Sequence, residues 1–173
     1  PGKPLALIKG KPLIRRVWER AKMAKHLDEI IIATDDERIS SAARSFGAKV
    51  EMTSARCASG TDRVAEVAAR YSAAAAFVNI QGDEPLISPE TIDSVASVFI
   101  KDKDGSIECA TAVFPTTKSA SPEIEGAAAA KVITDKNGFA LYFSRALIPA
   151  TAAHASLKSE LIYLKHIGIY GYR

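Results

Sequence analysis

Apolar residues recur along the first third of the chain in two alternating patterns. Apolar positions three and four residues apart predict an amphipathic helix from about Pro12 to Lys25. An uninterrupted β-branched run follows at Glu29–Ala33, which is typical of a strand buried on both faces. The Thr34-Asp35-Asp36 stretch then offers helix N-caps for a segment that reaches Phe46, and Gly47 is placed to end it.

The same alternation continues through the middle of the chain. Ser88, with Pro89 behind it, predicts a helix start, and an apolar helical stripe follows Gly60. Further strands are expected at Lys49–Met52, Ala76–Ile80 and Cys109–Phe114. Strands separated by helices predict right-handed βαβ units, so we expect an α/β fold with a mostly parallel sheet.

The last third of the chain predicts an antiparallel extension of that sheet. Asn137-Gly138 is a strong hairpin signal between two strand-like runs, Lys131–Thr134 and Phe139–Phe143. His166–Tyr172 also reads as a strand. Small and polar residues at Pro149–Leu161 predict a mobile loop.

Composition excludes several classes of protein. The 173 residues suffice for one core, and 47% hydrophobic with 25% charged residues exclude a disordered chain. The 23 basic and 20 acidic residues are scattered, and their net charge of +3 does not indicate a nucleic-acid-binding coat. The longest apolar run, around Ala73–Ile80, is too short to span a bilayer. No signal peptide is visible, and two cysteines point to a reducing cytosol.

The segment Gln81–Pro85 is the most informative for chemistry. It follows a predicted buried strand directly, and open α/β sheets bind ligands beyond the carboxyl ends of their strands. Asp83 would there be a hard oxygen ligand suited to Mg²⁺ that carries nucleotide phosphates. A strand-end turn with a solvated Asp83-Glu84 pair fits the same residues, so both interpretations stand on this segment alone.

Two other segments could bind phosphate. Lys3 lies in a Gly/Pro loop before a helix, where its charge could reach phosphate oxygens, although a P-loop spacing is absent. The segment Ser59–Arg63 opens a helix whose N–H groups could hold a phosphate or ribose. On their own, these segments fit a solvated lysine and an ordinary N-cap better.

Two strand-borne groups near the end of the chain could bind an acidic sugar. Arg145 could bind a carboxylate through both arms of its guanidinium group. His166 and Tyr170 lie four residues apart on one predicted strand and therefore share a face. A surface arginine and a half-buried Tyr–His face are the plainer interpretations. The sequence shows no nucleophilic triad, and we expect His26 and His154 to be surface residues.

Taken together and in this order, these segments resemble the 3-deoxy-manno-octulosonate cytidylyltransferases, or CMP-KDO synthetases. Each motif is moderately specific, but their order and spacing cover nearly the whole chain. The matching segments are Pro1–Leu5, Ala33–Asp36, Ser59–Arg63, Asn79–Pro85, Ala140–Ala146 with Ile148-Pro149, and His166–Tyr170.

The resemblance implies a single nucleotidyltransferase domain over residues 1–173, with a three-layer Rossmann-like, GT-A-like fold. Such enzymes couple CTP with 3-deoxy-D-manno-octulosonate (KDO), giving CMP-KDO and pyrophosphate for lipopolysaccharide assembly. The family is cytoplasmic, requires Mg²⁺ and is usually a homodimer, with neither a nucleic-acid partner nor membrane insertion.

The resemblance also assigns roles to residues. Catalytic Lys3 would contact the CTP phosphates, and catalytic Asp83 would hold Mg²⁺. The nucleotide pocket would be lined by Ser59, Gly60, Thr61, Arg63 and Gln81. The acidic sugar would contact Gln81, Arg145, His166 and Tyr170.

The sequence departs from the family at three places. The family's opening strand with its Pro-Ala-Arg loop is not matched, nor is the C-terminal part that carries a second acidic metal ligand. We therefore expect the chain to be part of a longer protein. Ala128–Ala130 stands where relatives often have an asparagine. A CMP-sialic acid synthetase-type enzyme and a non-catalytic nucleotide-sugar binding protein are the competing hypotheses.

Overall fold

The computed structural model describes residues 2–150 and 160–173. They form two compact units, which we describe separately. The first unit comprises the chain up to Ala110 together with Ile169–Arg173, and the second comprises Thr111–Gly168. Most of the predicted loop Pro149–Leu161, including His154, lies outside the described residues.

The first unit alternates helices and strands. A 3-10 turn at Lys3–Leu5 precedes a short hairpin of β1 and β2, and four α-helices and three further strands follow. The elements are β1 (Leu7–Ile8), β2 (Lys11–Pro12), α1 (Leu13–Ala21), β3 (Ile31–Thr34), α2 (Glu37–Ser45), β4 (Lys49–Met52), α3 (Gly60–Ala68), β5 (Phe77–Ile80) and α4 (Pro89–Lys101).

Local capping determines where several of these helices begin and end. Of the three N-cap candidates Thr34, Asp35 and Asp36, the structure selects Asp36, whose carboxylate accepts the Arg38 backbone N–H at 2.8 Å at the start of α2. Ser88 caps α4 in the same way, with Pro89 in its first turn. Gly47, at a φ of 84°, ends α2. The helix α1 ends earlier than predicted because the Asp93 carboxylate binds the Lys25 and His26 backbone N–H groups outside the helix.

Besides the β1–β2 hairpin, the first unit contains two further strand pairs. The strands β3 and β4 pair in parallel, with Ile32 opposite Val50, and these two residues share a core cluster with Ala43 and Ala48. The strand β5 pairs antiparallel with the end of β9 (Tyr163–Tyr172). On β9, Gly171 packs so closely against α4 that an added Cβ would lie 2.3 Å from a Phe99 ring carbon.

The second unit contains the predicted hairpin. The strands β7 (Lys131–Thr134) and β8 (Ala140–Ser144) pair antiparallel, and Gly138 in their turn has a φ of 88°. The strand β7 also pairs antiparallel with the start of β9, and β6 (Cys109–Thr116) pairs with β9. The hydrophobic core cluster of the second unit contains Ile124, Ala129 and Tyr163.

The α/β class and the antiparallel extension are confirmed, but the prediction of a mostly parallel sheet is wrong. The strand pairing is mixed, and β3–β4 is the parallel pair among the described registers. The physical reason is β9, a ten-residue strand that runs antiparallel to both β5 and β7. Sequence periodicity identifies strands but does not specify which of them become neighbours.

Candidate active site

Lys3 and Asp83 meet in the first unit, although 80 positions separate them. Gly2 has a φ of 82°, and this left-handed residue starts the 3-10 turn that carries Lys3. Asp83 follows the end of β5 by three residues. The Lys3 Nζ atom donates to Asp83 Oδ2 at 2.7 Å, with the two side chains 69% and 49% exposed. A cation and a carboxylate therefore stand together, accessible to a ligand, beyond the carboxyl end of a strand.

The residues between β5 and Asp83 pack closely on their neighbours. A Cβ added to Gly82 would lie 3.3 Å from Ile14 Cδ1, so the backbone here approaches α1 closely. A Cβ added to Gly60 would lie 3.8 Å from Gln81 Oε1. The structure thus brings Gln81 beside the start of α3, as the predicted nucleotide pocket requires.

The start of α3 is organised by its own side chains. Ser59 accepts the Asp62 backbone N–H at 3.1 Å and donates its hydroxyl to the Asp62 carboxylate at 2.8 Å. It is therefore the helix N-cap. Gly60 and Thr61 are exposed in the first turn, where backbone N–H groups favour an anion.

Arg63 is held from two sides. Its guanidinium group lies 3.2 Å from the Asp35 carboxylate and donates to the Thr53 hydroxyl. The side chain is 20% exposed. These contacts fix the orientation of the guanidinium group and place one acidic residue, Asp35, beside the predicted nucleotide pocket.

Arg145 lies in the second unit, directly after β8. Its Nη1 donates to the carbonyl oxygens of Ala127 and Ala128, at 3.0 and 2.9 Å. The Arg145 carbonyl oxygen accepts from Lys131 Nζ at 2.7 Å. Hydrogen bonds therefore hold both the carbonyl group and the guanidinium group of this exposed arginine.

His166 lies on β9 in the second unit. Its Nε2 atom is 2.9 Å from the Thr111 hydroxyl, and its ring packs edge-on against Phe143 at a centroid distance of 5.3 Å. Burial lowers the pKa of His166, and the nearby Arg145 charge lowers it further. Both causes favour the neutral form of the ring.

Tyr170 lies on the same strand but in the first unit. It pairs with Asn79 across the β5–β9 ladder, and its ring stacks on Tyr172 at 6.3 Å. The location of His166 and Tyr170 on one strand is confirmed. The predicted sugar-binding residues thus divide between the units, with Arg145 and His166 in the second and Gln81 and Tyr170 in the first.

The residues at this site suit a metal ion that takes most of its ligands from water and from the bound substrate. Within residues 2–150 and 160–173, no three His, Cys, Asp or Glu side chains lie close enough to hold a metal ion. Mg²⁺ commonly binds one or two carboxylates and completes its shell with water and substrate phosphates. Asp83 fits that arrangement. The two thiols do not, because burial raises the pKa of both Cys57 and Cys109.

Sequence reasoning missed three polar residues near the predicted site. Asp35 and Thr53 hold Arg63. Asp35 lies in the family-matching segment Ala33–Asp36 but has no role assigned there, and Thr53 has no signal beyond following a predicted strand. Lys131 is 0% exposed and donates to three carbonyl oxygens. In the sequence, Lys131 appears only as a lysine at the start of an apolar strand, and such a lysine is more often exposed to solvent at the end of the strand.

Among the described residues, no helix has both the length and the apolar character needed to cross a bilayer.

Comparisons with known proteins agree with this geometry. The whole chain, residues 1–173, matches the cytidylyltransferase family. A 3-deoxy-manno-octulosonate cytidylyltransferase of Protochlamydia amoebophila is 46% identical over all of this chain and 66% of its own length. An 8-amino-3,8-dideoxy-manno-octulosonate cytidylyltransferase of Shewanella amazonensis is 44% identical over 99% of this chain and 68% of its own length.

A solved structure is similar as well. It is a CMP:2-keto-3-deoxy-manno-octonic acid synthetase complexed with CTP, with a TM-score of 0.86 and 38% identity. The match covers all of this chain and 68% of that one. The chain thus spans about two thirds of the length of the proteins it matches. It belongs to the family of the 3-deoxy-manno-octulosonate cytidylyltransferases, the CMP-KDO synthetases.

Proposed function

We propose that this protein transfers the cytidylyl group of CTP to KDO, releasing pyrophosphate and forming CMP-KDO for lipopolysaccharide biosynthesis. The observation that carries the proposal is the 2.7 Å pairing of Lys3 with Asp83, which follows β5. Nucleotidyl transfer needs a cation for phosphate oxygens and a carboxylate for a metal, side by side. The family membership of the chain supplies the identity of the two substrates.

The reaction is a single displacement. The anomeric hydroxyl of KDO forms a bond to the α-phosphorus of CTP while the bond from that phosphorus to the pyrophosphate oxygen breaks. The hydroxyl proton leaves to solvent. Lys3 would bind phosphate oxygens, and Asp83 would hold Mg²⁺, which when bound offsets negative charge on the phosphates. Positioning and charge neutralisation are the main contributions of the protein.

The start of α3 would bind the nucleotide. Its exposed N–H groups and the hydroxyl of Thr61 suit a phosphate or a ribose. Ser59 shapes this helix start as its cap, and Arg63 is oriented by Asp35 and Thr53. Gln81 lies beside Gly60 and would contact the bound substrates.

Recognition of the sugar would fall to Gln81, Arg145, His166 and Tyr170. The guanidinium group of Arg145 suits the carboxylate of KDO, and its anchored backbone and Nη1 limit how far it can move. A neutral His166 can donate to or accept from sugar hydroxyls.

A second candidate substrate comes from the relatives themselves. One of the similar proteins is named for the 8-amino-3,8-dideoxy sugar. The two sugars differ at position 8 alone, so they would share the same carboxylate and anomeric contacts. A direct comparison of the two acceptors therefore belongs in the first experiment.

We also propose that the protein forms a homodimer and resides in the cytoplasm. The strand β8 supports the dimer because Leu141, Tyr142 and Phe143 are 66%, 62% and 46% exposed on consecutive positions. Sedimentation velocity with a Leu141→Lys variant tests it, since a dimer through β8 would dissociate. The cytoplasmic location fits a protein with two cysteines whose thiols are free.

Pyrophosphate release with CTP and Mg²⁺ tests the activity. KDO, the 8-amino sugar, sialic acid and no sugar are compared in parallel, each with the Asp83→Ala variant. Glu29→Ala is the matched control, because Glu29 pairs with Lys49 at a similar exposure of 46% and 44%. We expect release with KDO that Asp83→Ala lowers on the order of 100-fold and Glu29→Ala preserves.

Other outcomes would contradict the proposal in distinct ways. Release with sialic acid instead of KDO would identify a CMP-sialic acid synthetase-type enzyme. Tight CTP binding without release under any condition would favour a non-catalytic nucleotide-sugar binding protein. Full activity in Asp83→Ala would refute the metal role of Asp83 while leaving the reaction intact.

A further inference from the structure

A turn in the second unit accepts hydrogen bonds from two side chains and from one strand. This carbonyl turn, Gly126–Ala130, joins the 3-10 turn Pro122–Glu125 to β7. Each of its carbonyl oxygens accepts a hydrogen bond, and the donors are Lys131, Arg145 and His166. The positions of these three residues are therefore coupled to a single short segment.

Lys131 holds the carbonyl turn from inside the protein, since its side chain is fully buried. Its Nζ atom donates to the carbonyl oxygens of Gly126 at 3.0 Å and Ala129 at 2.8 Å. It also donates to the Arg145 carbonyl oxygen at 2.7 Å. An ammonium group carries three protons, so these three acceptors use all of them. The Lys131 side chain thus links the turn to the backbone from which the Arg145 side chain extends.

Arg145 binds the middle of the same turn with one nitrogen of its guanidinium group. Its Nη1 atom donates to the carbonyl oxygens of Ala127 at 3.0 Å and Ala128 at 2.9 Å, which uses both protons of that nitrogen. The Nε and Nη2 groups have no hydrogen-bond partner among the residues that the structure describes. Together they form an edge that can bind a carboxylate through two parallel hydrogen bonds. The residue is exposed, which makes the guanidinium group accessible to a ligand.

The Lys131 contacts lie on either side of the Arg145 contacts along the turn. Lys131 binds the first and fourth carbonyl groups of Gly126–Ala129, and the Arg145 Nη1 atom binds the second and third. A shift of the turn would therefore change the direction in which Nη1 is held. Without the Lys131 ammonium group, the turn and the Arg145 backbone would lose the hydrogen bonds that fix their relative position. The orientation of the Arg145 guanidinium group consequently depends on Lys131.

The strand that carries His166 is tied to the carbonyl turn as well. The His166 backbone N–H donates to the Ala130 carbonyl oxygen at 2.8 Å. The turn therefore holds two of the residues that the family resemblance assigns to the sugar. Burial lowers the pKa of both Lys131 and His166, and the Arg145 charge lowers it further. The positive charge of Arg145 thus acts on both neighbours, and an anion bound to Arg145 would oppose this effect.

We propose that Lys131 is a positioning residue for Arg145 in the recognition of the acidic sugar. By holding both the carbonyl turn and the Arg145 backbone, it keeps the Nε–Nη2 edge in one fixed direction before the sugar binds. A guanidinium group that is already oriented loses less conformational entropy when it binds a carboxylate, so the affinity for the sugar rises. This inference rests on the proposed function, in which Arg145 binds the carboxylate of KDO.

Steady-state kinetics with two Lys131 variants tests the proposal. Lys131→Met removes every donor at nearly the same side-chain length, and Lys131→Gln keeps an amide donor. We expect the KM for KDO to rise about tenfold in Lys131→Met and about threefold in Lys131→Gln, as for the loss of one hydrogen bond or part of one. The KM for CTP should stay unchanged in both variants. If Lys131→Met does not fold, Lys131→Gln decides the question.

Two controls separate positioning from a loss of folded protein. Val132→Ala changes the next position of β7, which is 2% exposed, and weakens the core without removing a donor to the carbonyl turn. It should lower the amount of folded enzyme and leave both KM values unchanged. In an Arg145→Ala background, Lys131→Gln should cause no further rise in the KM for KDO, because Lys131 acts through Arg145.

The rate of chemical modification of Arg145 gives a second readout, which needs no enzyme activity. Phenylglyoxal reacts with guanidinium nitrogens, and peptide mass spectrometry measures the rate at each arginine. Arg56 is the internal reference, because it is exposed and its side chain makes no hydrogen bond with the described residues. We expect the rate at Arg145 relative to Arg56 to rise about fivefold from wild type to Lys131→Met, as for one released hydrogen bond, and less in Lys131→Gln.

Three results would overturn the proposal. One is an equal rise in both KM values, or a rise specific to KDO in Val132→Ala, which would make Lys131 a contributor to stability alone. Another is a further rise in the KM for KDO when Lys131→Gln is added to Arg145→Ala. The third is an Arg145 modification rate that the Lys131 variants leave unchanged. Absence of pyrophosphate release from the wild-type protein would contradict the proposed function instead, and the modification rates would still decide whether Lys131 positions Arg145.

Discussion

Two lysines, one in each unit, have opposite surroundings. Lys3 in the first unit is 69% exposed and pairs with one carboxylate, Asp83. Lys131 in the second unit is 0% exposed, and its ammonium group donates to the carbonyl oxygens of Gly126, Ala129 and Arg145. Burial lowers the pKa of Lys131.

Because of this difference, the Lys3 ammonium group can exchange its carboxylate for another partner, whereas the buried Lys131 ammonium group cannot leave its carbonyl acceptors. An exposed ion pair contributes about 0–1 kcal/mol to stability, so separating Lys3 from Asp83, as the proposed binding of phosphate and metal requires, costs little free energy. A buried ammonium group that lost its three acceptors would be left unsolvated. Lys131 is therefore structural, and it ties β7 to the segment that carries Arg145.

The largest effect is expected from Lys131→Met. The substitution leaves three buried or half-buried carbonyl oxygens without their donor, and we expect a loss of about 4 kcal/mol in the free energy of unfolding. Urea denaturation measures it. Lys136→Met, on an exposed lysine of the hairpin turn, should change stability by less than about 0.5 kcal/mol. Equal effects of the two variants would refute the structural role of Lys131.

In contrast to Lys131→Met, Asp83→Ala should lower enzyme activity strongly and the free energy of unfolding only slightly. We expect kcat to fall on the order of 100-fold, because a group that stabilises charge in the transition state is lost. The free energy of unfolding should change by less than about 1 kcal/mol, as for an exposed pair. Steady-state kinetics and urea denaturation on one preparation measure both. A stability loss as large as that of Lys131→Met would abolish the distinction between the two lysine environments.

Variants of Lys3 test whether the charge of this exposed lysine matters for CTP binding. Lys3→Met should raise the KM for CTP about tenfold, and Lys3→Arg should restore part of the affinity because it keeps the charge. The wild-type KM should also rise with salt, since an exposed cation is screened. If Lys3→Arg were no better than Lys3→Met, charge would not be the property that matters at this position.

The smallest expected effect is the pH dependence at His166. Because its pKa in the folded protein is lowered, the unfolded chain binds the proton first as pH falls below about 6.5. The stability contribution of the neutral ring is present above that pH and is lost on acidification. For this partly exposed ring we expect a difference below about 1 kcal/mol between wild type and His166→Asn. Unfolding at pH values on either side of about 6.5 tests it, and parallel pH profiles would contradict it.

Local structure was predictable from the sequence wherever a short-range interaction determines it. The Asp36 and Ser88 caps and the Gly138 turn depend on neighbours within a few residues. The Lys49–Met52 strand matches β4 residue for residue. Strand pairing was not predictable, because the antiparallel β5–β9 ladder joins Phe77 to Tyr172 across the chain.

The candidate site shows the same division. The motifs identified Lys3 and Asp83 separately, and the family resemblance assigned them a shared role. Their contact depends on how the start of the chain packs near the end of β5, which no local pattern specifies. The environment of Lys131 was equally hidden, since carbonyl acceptors carry no sequence signature.

The close packing of Gly171 on Phe99 has a consequence for genetic screens of β9. Any side chain there would collide with the Phe99 ring and with Val95, so replacement should lower the yield of folded protein. Tyr170 lies next to it in the chain. If Tyr170 contacts the sugar as proposed, a scan that scores only enzyme activity would report two adjacent intolerant codons with unrelated causes, and the amount of protein recovered would tell them apart.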